Sequence, residues 1–96
     1  MPTYVSLIKF TQQGAAAIKE GPKRVDAAKQ RFKAAGAELK AFYLLTGQYD
    51  AVAISECPND EVAVKLSMAT AAQGNVRTET CRAFTEEEYR RMAASL

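Results

Sequence analysis

The 96 residues predict an α+β fold running β-α-β-β-α-β, with one more helix near the C-terminal end. Three observations carry that expectation. Gly47-Gln48 stands between two apolar runs and places glycine at the first central position of a two-residue loop, where a type II′ hairpin turn needs a positive φ. Tyr4 to Phe10 and Val76 to Phe84 are rich in the β-branched and aromatic residues that strands favour. Between these runs and the hairpin lie two segments with apolar residues at helical spacing.

Each element has its own punctuation. The first strand ends at Thr11, a good N-cap, so a helix should start there. Gly21-Pro22 interrupts that helix, because proline removes a donor and clashes with the preceding turn; a kink or a restart with Pro22 in a first turn is expected. Ile18, Val25, Ala28, Phe32 and Ala35 form one stripe, Lys19, Lys23, Lys29 and Lys33 lie elsewhere, and Gly36 is the natural stop. Lys40 to Thr46 and Tyr49 to Glu56 then pair as antiparallel strands, Leu44 opposite Ala51 and Phe42 opposite Ala53. Cys57-Pro58-Asn59-Asp60 makes a turn in which Asn59 or Asp60 caps a helix carrying Val62, Leu66 and Ala69 on one face and stopping at Gly74. Thr85-Glu86-Glu87-Glu88 is a capping box that opens the last helix, whose stripe is Tyr89, Met92, Ala93 and Leu96.

This order is the ferredoxin-like pattern. Right-handed crossovers place the strands 4-1-3-2 with both main helices on one face. Both sides of the hairpin are apolar, Phe42, Leu44, Ala51 and Ala53 on one and Tyr43, Leu45, Val52 and Ile54 on the other. The helix-free side therefore needs a cover, and a second copy of the chain is the simplest source.

The length suits one domain, residues 1–96, and 48% hydrophobic with 25% charged is the composition of a folded chain rather than a disordered one. A net charge of +2 commits the protein to no polyanion. Seven basic against three acidic residues between Lys19 and Lys40 read as a solvated helix face, since no aromatic or glycine-rich RNA-binding signature accompanies them. No nucleic-acid partner is expected. Apolar runs of about five residues fall far short of the ~20 that span a bilayer, so no membrane role follows. Met1-Pro2-Thr3 leads straight into a strand-like run with no secretory leader, which makes a cytoplasmic location the expectation.

The chain resembles the GYD-domain family along nearly its whole length. The likeness rests on Lys9, Thr11, Gln13-Gly14, Ile18-Lys19, Pro22 and Arg24; on Gly47, Tyr49 and Asp50 with one residue inserted after the glycine; on Asn59-Asp60-Glu61; and on Gly74-Asn75-Val76-Arg77-Thr78 with Ala83-Phe84 and Glu87. The resemblance implies a ferredoxin-like fold of the dimeric α/β-barrel group, hence a homodimer, and implies no reaction. Cys57 and Cys81 stand where that pattern suggests small or aliphatic residues.

Chemistry is sparse. There is no histidine, which removes the commonest general base and metal ligand. The two cysteines, 24 residues apart, have neither metal nor redox-motif spacing. With strand one between the strands that lead to them, they lie two interstrand spacings apart, about 9 to 10 Å. That is too far for a disulfide, so both are expected as free thiols packed like small hydrophobes. No nucleophile elbow or phosphate-cradling loop is present, and neither metal nor cofactor is expected.

What remains is Lys9, Tyr49, Asp50 and Arg77, which the strand order gathers at one end of the sheet. Two readings are open. In one, Asp50 forms a structural ion pair with Arg77, secondarily with Lys9, while Tyr49 packs on Thr46 across the hairpin. In the other, Lys9, Tyr49, Asp50, Asn75 and Arg77 form the polar end of a ligand pocket between the sheet and its partner, with Asp50 and Tyr49 as catalytic candidates. The lack of histidine or a nucleophile favours the first. Asn75 also has a simpler role open to it, tolerance of a left-handed turn after Gly74. Three functions follow in order of support: a small-molecule-binding or assembly module; a cofactor-free isomerase, lyase or decarboxylase-like enzyme using Tyr49, Asp50 and Arg77; and a ligand-sensing regulatory domain.

Overall fold

A computed structural model describes residues 1–96. Strand β1 (Thr3–Phe10) gives way at Thr11, whose hydroxyl accepts a hydrogen bond from the Gly14 N–H and caps α1 (Gln12–Ala16). A 3-10 turn over Ile18–Glu20 breaks the helix, and α2 (Gly21–Ala34) restarts with Pro22 in its first turn. That is the restart predicted from Gly21-Pro22: the missing proline N–H costs nothing where the first turn has no acceptor for it. Gly36, at φ +75°, ends the helix.

Strands β2 (Glu38–Leu44) and β3 (Ala51–Glu56) form the hairpin, and Asn59 caps α3 (Asp60–Ala72) by accepting from the Val62 N–H. Gly74, at φ +81°, turns the chain into β4 (Val76–Ala83). The Thr85–Glu88 capping box opens α4 (Glu86–Ala94). The Glu88 carboxyl is held below its usual range, chiefly by the Thr85 backbone N–H that it accepts from.

The sheet is antiparallel in the order β2-β3-β1-β4, the ferredoxin-like arrangement. Leu44 lies opposite Ala51, Tyr43 opposite Val52 and Phe42 opposite Ala53, the register predicted by pairing outward from the turn. The turn itself differs. The regular ladder ends at the Leu44–Ala51 pair, but the Leu45 N–H still donates to the Asp50 carbonyl at 2.8 Å as the outward pairing predicts, so the loop is Thr46 to Tyr49 rather than two residues, and Gly47, at φ +121°, carries the positive φ. Asp50 is the reason: its N–H bonds the Ile8 carbonyl at 2.8 Å, which draws the loop towards β1.

The core lies between the sheet and its helices in two clusters. Tyr4, Ala37, Cys57, Ala63 and Leu66 form one, with Phe32 and Val62 against it; Ile8, Ala51 and Ala53 form the other, with Leu39, Phe42 and Val76. Two stripe assignments shift. Ala63 rather than Ala69 turns inward with Leu66, and Ile18 and Ala35 stay exposed because Ile18 lies in the 3-10 turn before α2 and Ala35 is the C-cap beyond its last turn.

Cys81 is exposed, not packed as a small hydrophobe; it pairs with Val5, while its neighbour Thr80 reaches the Ser67 hydroxyl of α3, so Cys81 falls on the other side of the sheet. Cys57 is buried, burial pushes its thiol up, and both cysteines are free. The molecule measures 49 × 31 × 17 Å, the short dimension being one sheet and one helix layer. Its helix-free face carries Val5, Leu7, Val52 and Ile54, all half-buried, and Tyr43, 61% exposed. No helix is long and apolar enough to cross a membrane.

Candidate functional site

Of the residues that carry the family likeness, Thr11, Gln13, Gly14, Asp50, Gly74 and Asn75 converge on the end of β1. The Phe10 N–H donates to Asp50 Oδ2 at 2.8 Å, and the Thr11 N–H donates to the Asn75 carbonyl at 3.1 Å. The Thr11 hydroxyl donates to the Gly74 carbonyl at 2.6 Å, and Gln13 Nε2 donates to Asn75 Oδ1 at 3.0 Å. Gly14 sits so close to this loop that a Cβ there would lie 2.0 Å from the Asn75 carbonyl oxygen. Arg24 ties α2 to α1 by donating to the Ala17 and Gly14 carbonyls. These contacts form a hydrogen-bonded clamp that joins β1, α1, the hairpin and the α3–β4 loop.

The predicted site residues are only partly brought together. Asp50 makes no ion pair with Arg77 or Lys9 within 4 Å, because its carboxylate is already aimed at the Phe10 amide, and the four ion pairs of the chain all involve other residues. Lys9 lies opposite Arg77 in the β1–β4 ladder, with its ammonium 5.3 Å from the centre of the Tyr49 ring, a cation–π contact. Tyr49 extends its hydroxyl towards Glu79 at 3.5 Å. Lys9, Tyr49 and Arg77 therefore share a cluster, whereas Asp50 and Asn75 belong to the clamp. Asn75 does not occupy a left-handed turn; Gly74 takes that conformation, and Asn75 serves through its carbonyl and side-chain oxygens.

An apolar cavity lies on the opposite side of the sheet from the Lys9 cluster. It is a cleft of about 530 Å³ between α2 and α3, floored by Ser6, Ile8, Ala53 and Thr78 and walled by Val25, Phe32, Leu66 and Thr70. Of the predicted site residues, only Asn75 lines it. The cleft follows from side-chain size: β1, β3 and β4 present Ser6, Ala53 and Thr78 where large apolar residues would fill the space. Two polar residues absent from the sequence prediction, Arg24 and Arg31, line it from α2. Their spacing of seven residues on the stripe of Val25, Ala28 and Phe32 is the signal that could have revealed them. The Arg31 guanidinium donates to the Thr70 hydroxyl at 3.4 Å, while its buried Nε has no hydrogen-bond partner.

At the other end of the sheet Tyr4 donates a short hydrogen bond to Asp60. That bond, with burial second, pushes the phenol up to about 12. No cluster of side chains suited to a metal ion is present.

Comparison with known proteins places this geometry. The chain is 29% identical over 85 residues, 88% of its own length and 90% of the other's, to the glutamine synthetase and cystathionine beta-lyase binding protein of Thermus thermophilus. The crystal structure of TTHA0845, also from Thermus thermophilus, superposes with a TM-score of 0.55 at 25% identity, covering 88% of this chain and 95% of that one. The leucine response regulatory protein LrpA of Mycobacterium tuberculosis superposes with a TM-score of 0.58 at 17% identity; 88% of this chain is covered but only 51% of LrpA, so the likeness is one of fold and the chain spans about half of that protein. The model of the GYD domain matches residues 4–93, clamp and Lys9 cluster included, and the chain belongs to the GYD domain family.

Proposed function

We propose that the chain is a non-catalytic binding and assembly module that pairs with a second copy of itself through the helix-free sheet face and, as a dimer, docks on a protein partner. The observation that carries this reading is the face itself. Val5, Leu7, Val52 and Ile54 form an apolar strip over which the chain lays no element of its own. Its charges favour a two-fold mate: Lys9 and Arg77 lie at one end and Glu38 and Glu56 at the other. A two-fold axis across the strands sets each basic end over the partner's acidic end. Lys9, Tyr49 and Arg77 then border the interface and its solvent-facing rim.

Turnover has less support. No histidine is available, and the Asp50 carboxylate accepts from a backbone amide. The Thermus relative's name points to metabolic enzymes as the class of protein partner. Light scattering tests the dimer: the expected mass is twice that of the chain, and Ile54→Lys should yield a folded monomer. A monomeric wild-type protein at micromolar concentration would overturn the reading. Surface plasmon resonance with purified glutamine synthetase and cystathionine β-lyase from the same cell tests the partner class. Saturable binding to either is expected; binding to neither removes that class.

A further inference from the structure

The cleft between α2 and α3 lies across the sheet from the proposed interface and stands independently of it. Protein interiors are close-packed, with few voids larger than a water molecule. A cleft of about 530 Å³ lined by Ile8, Val25, Phe32, Phe42 and Leu66 therefore leaves apolar side chains unpacked between the helices and the sheet. It lies within the range of small-molecule sites, which are mostly apolar with a few convergent polar groups.

The polar groups here are specific. Arg31 Nε is buried without a partner, and the only other bond of that guanidinium is the long one to Thr70. Arg24 places one N–H of each terminal nitrogen on the Ala17 and Gly14 carbonyls, which fixes it to α1, whereas Arg31 has the one long bond and offers the freer fork. Neither arginine has a carboxylate within 4 Å, and the one acid among the lining residues, Asp26, is exposed. A buried guanidinium edge that lacks a counter-charge is matched by a carboxylate, in a charge-assisted hydrogen bond.

We infer that this cleft is a binding site for a carboxylic acid with an apolar body, its carboxylate on Arg31 and its body laid over the small-residue floor of Ser6, Ala53 and Thr78. Small floor residues leave the volume, the helices supply apolar walls, and Arg31 supplies orientation. The competing occupant is the terminal helix of another copy, since Tyr89 and Met92 of α4 are 65% and 42% exposed.

NMR titration of the full chain with decanoate, 3-phenylpropionate and decanol tests the inference and separates aliphatic from aromatic acids. Saturable shifts at Ser6, Val25, Leu66 and Thr78 are expected with at least one acid. Arg31→Gln should weaken that acid about tenfold, the loss of one charge-assisted contact, and leave decanol unchanged. Ala53→Leu, which fills the floor, should abolish binding; if that variant does not fold, Ala28→Leu fills the same space from α2. Absence of saturable shifts at these residues overturns the inference, as does equal weakening of acid and alcohol by Arg31→Gln. Binding that appears only in the Tyr89→Glu/Met92→Glu double variant would assign the cleft to the terminal helix instead. Light scattering on the same samples reads the dimer separately, so each proposal fails on its own measurement.

Discussion

The two ends of the helix-covered face are held by different forces. Around Tyr4, Cys57 and Leu66 the layers close on side chains: five buried residues touch, and the Tyr4 hydroxyl finishes the contact on Asp60. Around Ile8, Ala51 and Ala53 the floor is too small to meet the helices, and the cleft opens. That end is held by the clamp, in which the Thr11 N–H donates to the Asn75 carbonyl while the Thr11 hydroxyl accepts from the Gly14 N–H and donates to the Gly74 carbonyl. The comparison teaches that an unfilled region survives where polar contacts fix the elements from outside it. Thr11, Gln13, Gly14, Asp50 and Gly74, which belong to the family likeness, make no cavity wall and hold the frame.

The largest expected effect breaks the clamp. Gly14→Ala forces a methyl group to within 2.0 Å of the Asn75 carbonyl oxygen, and neither backbone can yield without losing the Thr11 bonds. Thermal or urea unfolding should show a loss of about 4 kcal/mol or more, among the exceptional values for single substitutions. A loss under about 1 kcal/mol would show that the clamp does not hold the open end.

Paired overpacking sharpens the contrast. Ala63→Leu at the closed end should destabilise by about 1 to 3 kcal/mol, the usual result of adding methylenes to a filled core. Ala53→Leu at the open end should be neutral or stabilising, since the space for it exists. Equal penalties in denaturant melts would mean that the two ends are packed alike.

Asp50→Asn should cost about 1 kcal/mol, because a charge-assisted acceptor of the Phe10 amide becomes a neutral one. With no ion pair between them, Asp50→Asn and Arg77→Gln should add within about 0.5 kcal/mol. Strong coupling in the double-mutant cycle would restore the ion pair predicted from the sequence.

The smallest effects are set by pH. Tyr4 is raised in the fold, so its contribution is complete below the unfolded phenol pKa of about 10 and is lost as pH climbs through about 12. The closed end should loosen in that window by circular dichroism, and Tyr4→Phe should remove the step. Glu88 shifts the other way. Its contribution to the α4 cap is present above the unfolded carboxyl pKa of about 4.3 and fades as pH falls below it, visible as fraying of the Glu86–Ala94 amides in NMR spectra.

Local chemistry decided what the sequence by itself determined. Thr11, Asn59 and Thr85 cap helices because a side-chain oxygen two or three residues from an orphan N–H needs nothing distant to act. Gly36 and Gly74 stop helices through backbone freedom that only glycine has in those turns. The hairpin register followed from counting pairs outward from Gly47-Gln48, and a slip by one residue would turn Ala51 and Ala53 out of the core.

Tertiary structure alone decided the partner of Asp50, the exposure of Cys81, the open stripe of α4 and the cleft itself. Each depends on how closely elements far apart in the chain approach, and periodicity records only which face a residue takes. Asp50 does stand at the predicted end of the sheet, but the nearest donor there is the Phe10 N–H, a group that every residue except proline carries and no motif can mark. Ala53 was legible as sharing one side of the hairpin with Phe42 and Ala51; that Ser6 and Thr78 join it over one floor is a property of three strands brought together, and so is the cavity they leave.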